Sequence, residues 1–204
     1  MARTGIIAAL ALLGAAGIGS AAIAAPLPVP TMPAAAMGEA RPIAGWVQFC
    51  SDYPSECVVE TSEDAEIRLD AQSWTTIQDI NRRVNAAIQP KTDWELYGVA
   101  DHWTFPTEGY GDCEDYQLLK RHLLVRAGLP RRAMRMTVVI DEKGEGHAVL
   151  MLHTDRGDLV LDNKTDRILP WHQTGYVYVK RESRERLGWT SLGHATSPTA
   201  TARY

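Results

Sequence analysis

The sequence predicts an α+β domain, helices packed on an antiparallel sheet. Two segments before Gly128 carry apolar residues at helical spacing. After Pro130 the apolar period shortens to that of strands. The turns between those strands are too short for crossover helices, so neighbouring strands must run antiparallel.

The N-terminus is basic at Arg3, then apolar and rich in Ala and Gly from Ile6 to Ile23, with small residues at Ala22, Ala24 and Ala25 before Pro26. That order is a secretory signal peptide over 1–25, cut after Ala24 or Ala25. The run approaches spanning length, so a retained anchor is the alternative. No cluster of Lys or Arg follows it and no second apolar run of that length exists. The expected product is therefore periplasmic or secreted, with no membrane contact after cleavage. Residues 26–41, rich in Pro and Ala, read as a flexible lead-in, 42–189 as the folded domain, and the Ser/Thr/Ala-rich 190–204 as a disordered tail.

Within the domain, a short element is expected around Trp46 to Phe49. Trp74, Ile77, Ile80, Val84 and Ile88 share one helical face, with Ser73 as N-cap and Pro90 as terminator. Lys91 to Gly111 reads as an aromatic-rich loop. The second helix runs from Glu114 to Ala127, with Tyr116, Leu119, Leu123 and Ala127 in one stripe and Gly128 as its stop. Strands follow at Met134 to Ile140, His147 to His153, Leu159 to Asn163 and Tyr176 to Lys180.

A formal charge of -4 with no basic stripe argues against a nucleic-acid partner. Three cysteines in an exported chain suggest one disulfide and one free thiol. Cys50 and Cys57 are close enough to pair, leaving Cys113. A free thiol in an oxidising compartment needs a reason, and catalysis is a common one. No His/Cys cluster has zinc-ligand spacing.

Cys113 is placed in the first turn of the second helix, after Gly111, with Asp112 as the expected N-cap and Asp115 in a capping-box position. There the helix dipole favours a thiolate, and free N–H groups suit an oxyanion. A cysteine nucleophile needs a base and the base an orienting group. His147 and Asp162 lie on strands joined by one short turn, which returns Asp162 near His147 if the register does not slip. On spacing alone His153, His102 and His172 are rival bases, and Asp158 and Asp166 rival orienters.

The blocks Gly111-Asp112-Cys113-Glu114-Asp115-Tyr116, Gly146-His147-Ala148-Val149-Leu150 and Leu159-Val160-Leu161-Asp162-Asn163 closely resemble the bacterial transglutaminase-like cysteine peptidases. Phe49 to Cys57 and Trp74 to Val84 share the likeness, which covers roughly Gly45 to Trp189. The resemblance implies a transglutaminase-like, papain-like core and a Cys113–His147–Asp162 triad hydrolysing peptide bonds. It implies a protein or peptide substrate, such as a large surface adhesin cut next to small residues to control biofilm attachment, and an inner-membrane regulator. It further implies calcium held by the acids flanking the nucleophile, at Asp112, Glu114 and Asp115. Such carboxylates would raise the thiol's pKa, and a hard cation with oxygen ligands would offset that. An amidase or transglutaminase-type acyl transferase would use the same triad, and a non-enzymatic peptide-binding module would leave it idle.

Overall fold

The structure, a computed structural model, describes residues 26–196. The expected signal peptide lies outside them. Among the described residues no helix is long and apolar enough to cross a membrane.

Among the described residues nine strands and five α-helices follow one another. They are β1 (Glu39–Ala40), α1 (Ala44–Asp52), α2 (Pro54–Cys57), α3 (Ala71–Ala87), β2 (Gln89–Pro90), α4 (Asp93–Tyr97), β3 (Tyr110–Gly111), α5 (Cys113–Arg126), β4 (Met134–Ile140), β5 (Gly146–Thr154), β6 (Gly157–Leu161), β7 (Leu169–Pro170), β8 (Val177–Glu182) and β9 (Trp189–Ser191). Seven strands form one antiparallel sheet in the order β1-β9-β8-β4-β5-β6-β7. β2 and β3 form a short parallel pair beside it.

The helices cover one face. Met134, Met136 and Val138 of β4, Leu150 and Leu152 of β5 and Leu159 and Leu161 of β6 meet Trp74, Ile77, Ile80 and Val84 of α3 and Tyr116, Leu118 and Leu124 of α5. The α3 stripe is the one the spacing predicts, but the helix starts earlier. Asp70 is the N-cap and Ser73 closes a reciprocal capping box as its third residue. Gly128, at φ +94°, ends α5 as expected. The Lys91–Gly111 stretch is more ordered than a loop, because Thr92 and Glu95 cap the short helix α4.

The other face carries a smaller apolar cluster of Val139, Val149, Met151, Val160 and Tyr178, covered by Ala34. Residues 26–41 are thus a strap across the sheet, not the flexible lead-in their composition suggests. Thr31 N–H donates to the Arg156 carbonyl, Ala34 N–H to Asp158 Oδ2 at 2.8 Å, and Met37 N–H to the Ser191 carbonyl. β1 then pairs with β9. That pairing also corrects the tail, since residues 190 and 191 belong to a strand and Leu192 N–H still bonds the Val179 carbonyl. A strand partner can lie far off in sequence, and composition does not register it.

Cys50 and Cys57 form the expected disulfide. A loop that small contributes about 2–3 kcal/mol in the chain-entropy model. Glu56, inside the loop, bonds Arg131 and His122, and its carbonyl accepts from Arg121. Arg121, fully buried on α5, also holds Glu182 of β8 at 2.5 Å. The same Glu182 carboxylate accepts from Trp46 Nε1 and Met136 N–H. One buried carboxylate therefore joins α1, α5 and the sheet. Arg121→Ala strands that charge, and urea unfolding should show a loss of about 3–5 kcal/mol. A loss under about 1 kcal/mol would mean that the pair is not a structural link.

Candidate active site

Cys113 opens α5 and is fully buried. Gly111 before it is required by close approach. A Cβ there would lie 2.7 Å from Asp115 Oδ2 and 2.8 Å from Asp115 Cβ. Asp112 is the N-cap residue, but its side chain makes no capping hydrogen bond, which corrects the capping-box expectation. Asp112 Oδ2 faces the Asp93 N–H at 3.4 Å instead, and Asp115 Oδ1 accepts from Thr104 N–H at 3.0 Å.

α5 lies against β5, so the nucleophile candidate meets the strand carrying His147. Ala148 N–H donates to Cys113 Sγ at 3.3 Å, and Cys113 Sγ stands 3.1 Å from Glu114 Oε2. β5 and β6 pair Leu150 with Leu161. Continuing that register by one residue sets Asp162 opposite Val149, diagonal to His147 and on the same face. His147 Nε2 and Asp162 Oδ1 are 2.9 Å apart. That contact leaves Nδ1 as the imidazole nitrogen for a reacting proton.

The rivals are placed elsewhere. His153 pairs with Asp158 at 2.6 Å, beside Arg181 and the strap. His102 packs on Tyr97, His172 lies in an exposed single turn, and Asp166 accepts from Asn85. Trp103 is core, its Nε1–H donating to Asp101, and Tyr110 lies under Lys91.

Asp162 is held in its ionised form. Burial opposes that, but His147, Tyr176 and the Lys164 N–H bring its pKa down to about 2. Cys113 goes the other way. Burial pushes the thiol up, and Glu114 and Asp112 add to it. The helix dipole alone does not set this thiol toward thiolate, as its position in the chain suggested; burial, with the adjacent acids adding to it, outweighs it.

Those acids form a cluster that sequence spacing identifies only in part. Carboxylate oxygens of Asp93, Asp112 and Glu114 lie within 4.8 Å of one another, all buried. Asp115, expected as a ligand, stands outside this group, and Asp93 from α4 takes its place. Burial raises Asp93 to about 6, Glu114 to about 8, Asp115 to about 9 and Asp112 to about 11, with nearby carboxylate charges adding to it. Asp93 Oδ1 and Asp112 Oδ1 are buried with no hydrogen-bond partner among the described residues. An all-oxygen donor set with orphaned buried carboxylate oxygens fits a hard divalent cation.

Asp93 sits in a capped turn of ordinary composition, and only the parallel pairing of β2 with β3 brings α4 to the start of α5. Sequence reasoning also missed Lys120. It is fully buried on α5, and its ammonium donates to the Asp162 carbonyl at 2.9 Å. The apolar stripe of α5 gives no hint of that.

A buried thiol on a helix N-terminus, against a strand carrying an Asp-bonded histidine, defines a transglutaminase-like fold of the cysteine-peptidase class. The profile of the family "Bacterial transglutaminase-like cysteine proteinase BTLCP" matches residues 36–197, and the chain belongs to that family. Among solved structures it resembles Legionella pneumophila LapG, at 26% identity and a TM-score of 0.50, over 58% of this chain and 68% of that one. Calcium-bound Legionella pneumophila LapG, at 23% identity and a TM-score of 0.50 over 62% and 74%, shares the fold. A search of curated protein sequences finds no match.

Burial lowers Lys120 to about 7 from 10.5. Between those values the unfolded chain binds a proton that the folded chain lacks, so this group makes stability rise with pH there and flattens below about 7. Lys120→Met should remove that part of the rise when urea unfolding is compared at about pH 7 and about pH 9. An identical pH slope in both proteins would show that the buried amine keeps its proton.

Proposed function

We propose that this cysteine peptidase works outside the cytoplasm and hydrolyses peptide bonds of a protein substrate through Cys113, His147 and Asp162. The observation that carries the reading is the His147–Asp162 contact on β5, next to the residue whose N–H meets Cys113 Sγ. Export is supported by the N-terminal pattern of the sequence and by the Cys50–Cys57 disulfide, a bond favoured in oxidising compartments.

In this reading His147 Nδ1 takes the thiol proton and Cys113 Sγ attacks the scissile carbonyl. The oxyanion forms at the α5 N-terminus, where main-chain N–H groups point outward. The C–N bond breaks as the imidazolium returns its proton to the leaving amine. Water, deprotonated by His147, then cleaves the thioester and restores the thiol. Asp162 keeps the imidazole in one tautomer and stays ionised throughout.

Calcium belongs to this reading. Asp93, Asp112 and Glu114 would hold it, and bound there it would supply positive charge that offsets the carboxylates around the thiol. Support comes from the orphaned oxygens of Asp93 and Asp112 and from the calcium-bound form of Legionella pneumophila LapG. A large surface adhesin is the substrate that the family resemblance favours, with an inner-membrane regulator as a partner.

Internally quenched peptides with small residues at the scissile bond test the activity. Cys113→Ala, His147→Ala and Asp162→Ala should each lose roughly a thousandfold or more in kcat/KM while keeping the wild-type circular dichroism. Wild-type turnover in any of the three overturns the triad, and amine incorporation without hydrolysis would move the assignment to an acyl transferase.

For the metal, calcium at about a hundred times its Kd should add about 2.7 kcal/mol. For a chain of this size that raises Tm by roughly 5–10 °C. Asp93→Asn and Asp112→Asn should abolish the rise, and an unchanged wild-type Tm in calcium and in chelator would remove the cation from the proposal.

A further inference from the structure

Asp162 is gripped from several directions. Oδ1 faces His147 Nε2 and accepts from the Lys164 N–H at 3.0 Å. The main-chain carbonyl accepts from Lys120 Nζ at 2.9 Å and Asn85 Nδ2 at 3.0 Å. On Oδ2 the donor is the Tyr176 hydroxyl, at 2.6 Å. The ring of the same tyrosine stands edge-on to the His147 imidazole, centroids 5.7 Å apart and planes at 79°. One side chain, just ahead of β8, therefore touches both residues that govern the proton.

We infer that Tyr176 is a positioning residue for the reaction, holding the Asp162 carboxylate and the His147 ring in their working relation. The inference rests on the triad reading above. Packing alone does not account for a tyrosine here. The ring is only partly buried, and a phenylalanine would cover His147 equally well. What the hydroxyl adds is a hydrogen bond to an ionised carboxylate, stronger than one between neutral groups. Burial and the Asp162 charge hold this phenol above its ordinary range, so it remains a donor at every working pH.

The hydroxyl also spreads the carboxylate charge. Without it Oδ2 loses its donor, and the carboxylate is freer to turn away from the imidazole. The charged and titratable groups around the pair are Asp162 from the loop after β6, Lys164 near the Tyr176 ring, Asp141 and Glu142 of the β4–β5 turn, and Lys120 and Cys113 from α5.

The test uses the full chain with p-nitrophenyl acetate, an activated ester that a competent thiol cleaves. Tyr176→Phe should lower kcat about tenfold, the loss of one hydrogen bond to a charged group, with KM within about twofold. The loss should fall on kcat and leave the urea midpoint of unfolding unchanged, which a merely structural role would move. Wild-type kcat overturns the inference, and so does a loss that comes with a lowered urea midpoint. His147→Ala and Asp162→Ala run alongside. If these keep wild-type rates, the triad reading falls and takes the inference with it. If they are inactive and Tyr176→Phe behaves as wild type, only the role of Tyr176 falls.

Discussion

The site depends on one packing constraint: the N-terminus of α5 lies against the start of β5. That contact brings Cys113 Sγ to the Ala148 N–H, and with it the strand that presents His147. It also buries Asp112, Glu114 and Asp115 together, at the helix end whose dipole favours negative charge. The dipole falls short of stabilising so many carboxylates out of water, so burial, with neighbouring charges adding to it, holds their pKa values high. The arrangement that positions the thiol thus also makes a concentrated negative site, completed by Asp93 from a separate helix.

The rest of the fold serves that contact from two sides. On the helix side, α3 packs behind α5 and reaches across to the Asp162 loop, through Asn85 to the Asp162 and Thr165 carbonyls and through Asn81 to the Asp166 carbonyl. Lys120 does the same from α5. On the far side the strap over 26–41 seals the small apolar cluster and fixes Asp158 and Arg181 in a buried ion pair. The strand ends bearing His147 and Asp162 are therefore held between two covered faces.

What was legible in the sequence follows from range of interaction. Helix stripes and strand alternation are local, and α3, α5, β4, β5, β6 and β8 appear close to where their periodicity places them, though β6 ends at Leu161 and leaves Asp162 just beyond the strand expected to hold it. The Cys113, His147 and Asp162 blocks stand out because each sits at an element boundary with turn chemistry beside it. The features that escaped are tertiary. Nothing near Asp93 says that its carboxylate meets Asp112 from another helix, and nothing near Tyr176 says that its hydroxyl meets Asp162. Pro and Ala content made 26–41 look unstructured, because backbone hydrogen bonds to a distant strand do not depend on side-chain composition. Asp112 and Asp115 look like caps at their spacing, yet the short helix α4 diverts Asp112 toward Asp93.

The Glu182 junction has a consequence for how such a chain evolves. Its carboxylate answers to Trp46, Arg121 and a backbone amide at once, with the guanidinium fully enclosed. Losing either charge alone leaves the other stranded in a low-dielectric interior, whereas replacing both with well-packed apolar residues is far better tolerated. Positions 121 and 182 should therefore drift as a correlated pair through descent. The lineage can exchange the ion pair for a hydrophobic contact only by crossing an intermediate that folds poorly.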